Sequence, residues 1–380
     1  MKSINLFTIL ALYFIINACS NPDNKNEATN HNDNDSRKAV TLDTFFYKKL
    51  NGTINESINI TMDLIKNDSI LSGSYYYNKI GKPLKLYGSV NKVNNEIELI
   101  EYNDKGDKTG TFHGSFDSNN NFTGNWTNAV NNKIMVFALS PSTANNAASA
   151  TFKHYRNENC KTRDSLLKIM KAEDIPYNQS SCSYIDINLL TIQTENKQVS
   201  KIINAAILKD ICHDIGETQY NTISEYLASI NNLSEDDIYQ MDVTCNIATN
   251  NKNILSMDVS NSSYTGGAHP NSWSKIYNFD LRTGNIIKLD DFIMSGGEEK
   301  LSTIAESIFV KEYGNEGWDF KAGDFPLAVN FSISLGGIHF FYNSYEIGSY
   351  AMGAPDIFIP YKDIKQLIKP QSIVSELILK

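Results

Sequence analysis

Tyr264-Thr265-Gly266-Gly267-Ala268-His269-Pro270-Asn271 stands between two stretches, Ile254–Ser263 and Ser274–Leu281, that alternate apolar and polar residues. Such alternation marks half-buried strands. Gly266 and Gly267 permit positive φ or the close approach of another backbone. Pro270 fixes its own φ and biases His269 toward extended geometry. The stretch reads as a shaped corner joining two strands and holding one imidazole. It sets the C-terminal part of the chain as antiparallel sheet.

Upstream of the corner, Ser183–Thr194 alternates as a strand, with Ile185, Ile187 and Leu189 on one side. Asn196 can cap a helix carrying Val199, Ile202, Ile203, Ala206 and Ile207 at i, i+3, i+4 spacing. A second helix is predicted over Gln219–Ile230 and a strand over Tyr239–Thr249. Downstream, a turn at 280–285 leads to Ile286–Leu289, a helix spans Glu298–Tyr313, and strands cover Ala328–Leu335, Ile338–Tyr342 and Asp356–Pro360. Gly336-Gly337 is a two-residue hairpin signal, and a last helix lies near Asp363–Ile368. Helices grouped around an antiparallel run indicate an α+β fold, an antiparallel sheet packed with helices, rather than a doubly wound one.

Residues 40–141 read differently. Four short segments, Leu71–Tyr75, Leu86–Val90, Phe112–Phe116 and Phe122–Trp126, each place a glycine between apolar or aromatic residues, with turn-forming stretches between them. A small all-β N-terminal domain follows, an antiparallel sheet or part-barrel. Tyr75, Tyr76 and Tyr77 offer a sugar-stacking surface, although aromatic residues in strands more often pack. Residues 142–150 read as a linker.

The first residues carry an address. Lys2 precedes an apolar run, Leu6–Ile16, shorter than the roughly 20 residues a membrane-spanning helix needs. Ile16-Asn17-Ala18-Cys19 resembles the lipobox of bacterial lipoproteins. It implies a signal peptide over 1–18, a lipidated Cys19 and attachment to a membrane of the bacterial cell envelope, the outer membrane in a Gram-negative cell. Residues 19–39 are Asn, Asp and Lys with almost nothing apolar, a solvated tether. The net charge of −9 argues against nucleic acid as a partner. Besides Cys19 there are Cys160, Cys182, Cys212 and Cys245. An even number in an exported chain points to disulfides with three possible pairings. The sequential one, Cys160–Cys182 and Cys212–Cys245, is favoured; its loops of about 20 and about 30 residues are each worth roughly 3 kcal/mol.

From Ser262 onward the motifs combine. Tyr264–Asn271, Tyr277-Asn278-Phe279-Asp280, Thr283-Gly284, Leu289-Asp290-Asp291-Phe292, Ile338–Ile347, Ser349-Tyr350-Ala351 and Asp356–Tyr361 together resemble a family of extracytoplasmic bacterial domains. That family occurs in the lysozyme-sensing anti-sigma factor RsiV and beside the catalytic domain of the peptidoglycan deacetylase PdaC. Residues 151–255 resemble the companion domain that precedes it, and 256–380 the RsiV-like domain itself. The resemblance implies an α+β receptor-like module outside the cytoplasm. It does not carry over sigma-factor control or deacetylation, because the segments responsible for those are not matched.

No motif specifies a reaction. The six histidines include no pair at helical metal-ligand spacing, and no metal, cofactor or catalytic residue is assigned. His269 is the best single candidate for chemistry, with a loop-locking hydrogen bond as its simpler role. Asp290 and Asp291 read as capping acids, and Glu346 as a structural acid near Tyr345 and Tyr350. The candidate binding-cleft residues are Tyr264, Gly266, Gly267, His269, Asn271, Asp290, Tyr345, Glu346 and Tyr350. The expected function is non-catalytic binding of an envelope-associated protein, such as a lysozyme-like hydrolase, or of a peptidoglycan or other glycan ligand. The alternatives are a glycan-processing enzyme uniting His269, Asp290 and Glu346, and a structural role in envelope assembly.

Overall fold

A computed structural model describes residues 42–143, 146–161, 181–212, 219–232, 239–266, 268–314 and 316–378. The leader, Cys19, the tether and Gly267 lie outside these residues. The N-terminal region is built from β1 (Phe45–Ile54), β2 (Ile58–Asn67), β3 (Ile70–Tyr77), β4 (Leu84–Val90), β5 (Ile97–Tyr102), β6 (Lys108–Phe116), β7 (Phe122–Asn128) and β8 (Ile134–Pro141). Each pairs antiparallel with the next, and β8 returns to pair with β1 from Leu50↔Pro141 to Ile54↔Phe137. The expected open sheet or part-barrel is therefore a closed barrel.

The recurring glycines explain how so short a meander closes. Gly114 and Gly124 face each other across β6 and β7. A Cβ on Gly124 would stand 2.0 Å from the His113 carbonyl oxygen and 2.6 Å from Gly114 Cα. Only glycine lets strands coil this closely. The turns between strands use asparagine in the same economical way. Asn55, Asn95, Asn120 and Asn132 all take φ between 53° and 61°, a region asparagine tolerates better than most residues.

Inside the barrel, Leu50, Met62, Leu71, Leu86, Leu99, Phe112, Phe122 and Phe137 form one apolar core. Glu101 is buried among them and accepts hydrogen bonds from Tyr75 Oη (2.5 Å), Trp126 Nε1 (3.0 Å) and Thr109 Oγ1. Tyr75 and Tyr76 are both buried, which removes the sugar-stacking reading. Tyr75 points into the barrel. Tyr76 takes the other face and accepts a hydrogen bond from Asn251 Nδ2 at 3.0 Å.

A second sheet follows: β9 (Ser149–Lys161), β10 (Ser181–Gln193), β11 (Gln240–Asn251), β12 (Ile254–Tyr264) and β13 (Asn271–Asp280). Its spatial order is β13-β12-β11-β10-β9. All pairs are antiparallel except β10–β11, which runs parallel from Tyr184↔Gln240 to Asn188↔Thr244. A parallel pair needs a crossover. Here it contains α1 (Lys197–Ile211) and α2 (Ile223–Ala228). Asn196 caps α1 by accepting from Gln198 N, and Val199, Ile203, Ile207 and Ile211 form its buried stripe.

The barrel and this sheet share a wall. β2 is buried on both faces, with Ile60, Met62 and Leu64 in the barrel and Ile65 in the core of the sheet. On the shared face Asp63 accepts from Tyr47 Oη at 2.6 Å and pairs with Lys49 at 3.3 Å. Asn250, wholly buried, accepts from Ala148 N (2.8 Å) and donates to Ala148 O (2.7 Å) and Tyr47 Oη (2.8 Å). The expected linker 142–150 is thus pinned where Asn250 holds Ala148, and Ser149 already begins β9.

The last unit is a three-stranded sheet, β14 (Phe331–Ile333), β15 (Gly337–Phe341) and β16 (Asp356–Pro360), with α3 (Leu289–Phe292), α4 (Gly297–Tyr313) and α5 (Tyr361–Ile364). Leu301, Ala305 and Phe309 of α4 pack into its core. The β14–β15 turn centres on Leu335-Gly336, closed by Ser334 N to Gly337 O at 2.9 Å, one residue earlier than the glycine pair implied. Strand β13 is a main support of this unit. Asn278 of β13 donates to Phe331 O (2.7 Å) and accepts from Ile333 N (2.9 Å). The described residues are mostly β with few helices, which agrees broadly with an α+β C-terminal half.

The cysteines divide. Register places Cys160 directly opposite Cys182 on β9 and β10, and the two are disulfide-bonded. The expected Cys212–Cys245 bridge is not formed, since both are buried free thiols. Cys212 is the C-cap of α1, its N–H donating to Leu208 O at 3.0 Å. Cys245 lies in mid-β11, paired with Val259. They share a core, but no strand register brings them face to face, as bridge geometry requires.

Candidate functional site

The corner 265–270 connects β12 to β13, and Ser263 pairs with Asn271 at its base. Gly266 has φ of 89°, and an added Cβ there would meet nothing within 4 Å. Its glycine is required by backbone conformation rather than by a close neighbour. His269 Nδ1 donates to Pro270 O at 2.9 Å, the loop-locking bond.

Two asparagines bring a second loop alongside. β13 is the edge strand of its sheet, and an unpaired edge must satisfy its backbone groups. Asn343 accepts from Ser274 N at 2.7 Å and donates to Ser274 O at 3.1 Å. Asn330 accepts from Ile276 N (3.2 Å) and donates to Ser274 O (3.0 Å). Because Asn343 is anchored there, the loop from Asn343 to Tyr350 stands beside the corner. The Tyr350 ring stacks on His269 at 4.0 Å between centroids and 17° between planes, and its hydroxyl donates to Pro270 O at 3.2 Å. Tyr345 lies 5.7 Å from Tyr350, centroid to centroid.

These three rings form a ledge. His269 and Tyr345 are exposed and Tyr350 half-buried. Tyr345 holds φ of 71°, a left-handed conformation that costs on the order of 1 kcal/mol for a bulky residue. Glu346 is exposed rather than buried, and its Oε1 accepts from Asn343 Nδ2 at 3.1 Å. An aromatic surface with a carboxylate near it can stack on a sugar face, receive a cationic side chain or seat an apolar anchor.

The other sequence candidates fall into place unevenly. Tyr264 ends β12 and Asn271 begins β13, at the base of the corner. Asp290 belongs to another neighbourhood. It opens α3, its carbonyl accepts from Lys369 Nζ, and its carboxyl faces Glu298, whose own carboxyl is held above its ordinary value by that bond. Asp291 accepts from Lys288 N at 2.7 Å, a capping role. The three residues of the enzyme reading therefore do not all converge: His269 and Glu346 belong to the ledge, whereas Asp290 meets the C-terminal segment.

One constellation was missed from sequence. Asp104, in the β5–β6 turn, meets His339 of β15 and Asp356 of β16. One ligand atom from each lies within 4.8 Å of the others. His339 Nδ1 is 3.2 Å from Asp356 Oδ1, and Lys82 Nζ contacts Asp104. Nothing local marks these residues as a group, because barrel and sheet must dock before they meet.

The unit bearing the ledge is thus an α+β module, a five-stranded sheet whose edge strand carries a smaller sheet through asparagine side chains. Its sequence matches two family profiles in succession: "Deacetylase PdaC" over residues 176–272 and "Protein of unknown function (DUF3298)" over residues 288–362. A PdaC domain followed by a DUF3298 domain fits the PdaC/RsiV-like extracytoplasmic family. The corner falls in the first match and the 343–350 loop in the second, so the ledge is built by both. Among solved structures, a DUF3298 family member from Bacteroides fragilis NCTC 9343 is similar at 20% identity, covering 62% of this chain and 100% of its own, with a TM-score of 0.48. A DUF3298 family protein from Pseudomonas aeruginosa PAO1 is similar at 17% identity, covering 58% and 95%, with a TM-score of 0.43. No curated protein matches the chain. Among the described residues, no helix is long and apolar enough to cross a membrane.

Proposed function

We propose that this chain is a non-catalytic binding module of the bacterial cell envelope, lipid-anchored at Cys19. It receives an envelope-associated protein of the basic, lysozyme-like kind on the ledge of His269, Tyr345 and Tyr350. The observation that carries the reading is the ledge itself. Aromatic rings are the commonest anchors of binding surfaces; here His269 and Tyr345 are exposed, Tyr350 is half-buried and stacked on His269, and Asn343 anchors the loop that carries both tyrosines. Glu346 nearby and the net charge of −9 favour a cationic partner. A glycan strand is the second reading, supported by the near-parallel His269–Tyr350 pair, a surface on which a sugar ring can lie.

Calorimetric titration of the purified chain with lysozyme and, separately, with soluble peptidoglycan fragments tests both. Lysozyme binding should weaken with added salt. Tyr350→Ala should weaken it at least about tenfold, or about 1.4 kcal/mol, without shifting the unfolding midpoint appreciably. Binding of the fragments alone selects the glycan reading. Failure of both ligands to bind disposes of the ledge as their receptor.

A further inference from the structure

We propose that Asp104, His339 and Asp356 form a binding site for a zinc-class divalent transition ion that clamps the barrel to the C-terminal sheet. The donors come from two units: Asp104 from a barrel turn, His339 and Asp356 from adjacent strands paired antiparallel. One ring nitrogen and one oxygen of each carboxylate lie within 4.8 Å of one another. Ligands about 2.1 Å from a tetrahedral zinc ion stand about 3.4 Å apart. The His339–Asp356 pair, at 3.2 Å, already meets that spacing, and Asp104, within 4.8 Å of both, has to close by at most about 1.4 Å.

His339 is 7% exposed, and its Nδ1, already turned to Asp356, is the nitrogen placed to meet the ion. One imidazole with two carboxylates is a donor set for zinc and its neighbours, leaving an open position. Calcium asks for six to eight oxygens, which these residues do not offer.

Lys82 acts here as an internal cation. Its ammonium contacts Asp104 and lies 4.6 Å from the centre of the Phe358 ring. Its side chain is 34% exposed, so a dication can displace it toward solvent. The turn carrying Asp104 is held by its own bonds, Asn103 N to Asp107 O at 3.1 Å and Gly106 N to Asn103 O at 3.0 Å.

The test is a titration of the full, chelator-stripped chain with Zn2+ and with Ca2+, read by calorimetry and by the unfolding midpoint. One zinc per chain should bind and raise the midpoint, and calcium should bind at least a hundredfold more weakly. Asp104→Asn lies on a half-exposed turn and need not disturb folding. It should weaken zinc at least tenfold, whereas Lys82→Ala should tighten it. Absence of saturable zinc binding overturns the proposal. So does zinc affinity that neither substitution changes, or calcium bound as tightly as zinc.

Discussion

Asn250→Ala removes the side chain that joins the barrel, the 142–150 connection and β11. Asn250 is 0% exposed, and its amide occupies both backbone groups of Ala148 as well as Tyr47 Oη. Alanine leaves the Ala148 N–H and C=O without these partners, in a residue only 5% exposed. Tyr47 keeps its bond to Asp63, so its loss is smaller. Each stranded backbone group costs about 1–3 kcal/mol, and partial entry of water brings the pair to about 3 kcal/mol. With a urea slope of about 3 kcal/mol per molar for a chain of this size, the unfolding midpoint should fall by about 1 M. Trp126 sits inside the barrel at 4% exposure and reports its unfolding by fluorescence, while far-UV dichroism follows the helices of the neighbouring unit. Both signals should shift, because the bond lies at the junction. Asn250→Asp should cost more, since it sets a carboxylate against the Ala148 carbonyl and against Tyr47 Oη, whose proton already goes to Asp63. A midpoint change below about 0.2 M, roughly 0.6 kcal/mol, would refute the reasoning.

Three further outcomes follow from particular atoms. Gly81 has φ of 69°, and a Cβ there would lie 2.5 Å from Gly336 N. Gly81→Ala should therefore destabilise the chain by about 2 kcal/mol or more and speed amide exchange around residues 334–337, where Gly336 N donates to Gly81 O at 3.1 Å. Burial pushes the Cys245 thiol up to about 12 from an ordinary 9.0. The unfolded thiol ionises first as pH rises, so stability should fall from about pH 9 to about pH 12, by at most about 1.4 kcal/mol per pH unit. Cys245→Ala should flatten that slope. An alkylating reagent should label Cys212 and Cys245 only after unfolding, and their recovery as a disulfide would contradict the structure.

Much of the local structure was legible because local physics decides it. Asn196 and the apolar spacing from Val199 to Ile207 specify α1, since a cap and a 3.6-residue stripe act within a few residues. The alternation on either side of Tyr264–Asn271 specifies β12 and β13, and His269 was readable as a residue that locks its own loop. The segments around the glycines at 73, 88, 114 and 124 announced short antiparallel strands. They did not announce that β8 would close onto β1, because closure depends on the summed coiling and register of eight strands.

Tertiary structure decided the rest. The ledge exists because Asn343 bonds Ser274 across a gap of sequence that no periodicity spans. Asp290 was drawn away from it by Lys369 and Glu298. An even cysteine count suggested a Cys212–Cys245 bridge, yet both thiols are free, because the packing of α1 and β11 sets where they lie. Asp104, His339 and Asp356 carry no sequence signal at all. The sequence by itself determined the elements, the family resemblance and the individual caps and turns, which depend on short-range sterics and hydrogen bonding. Which side chains meet depended on how finished units bury their faces against one another, and that is settled only when the barrel, the five-stranded sheet and the smaller sheet dock.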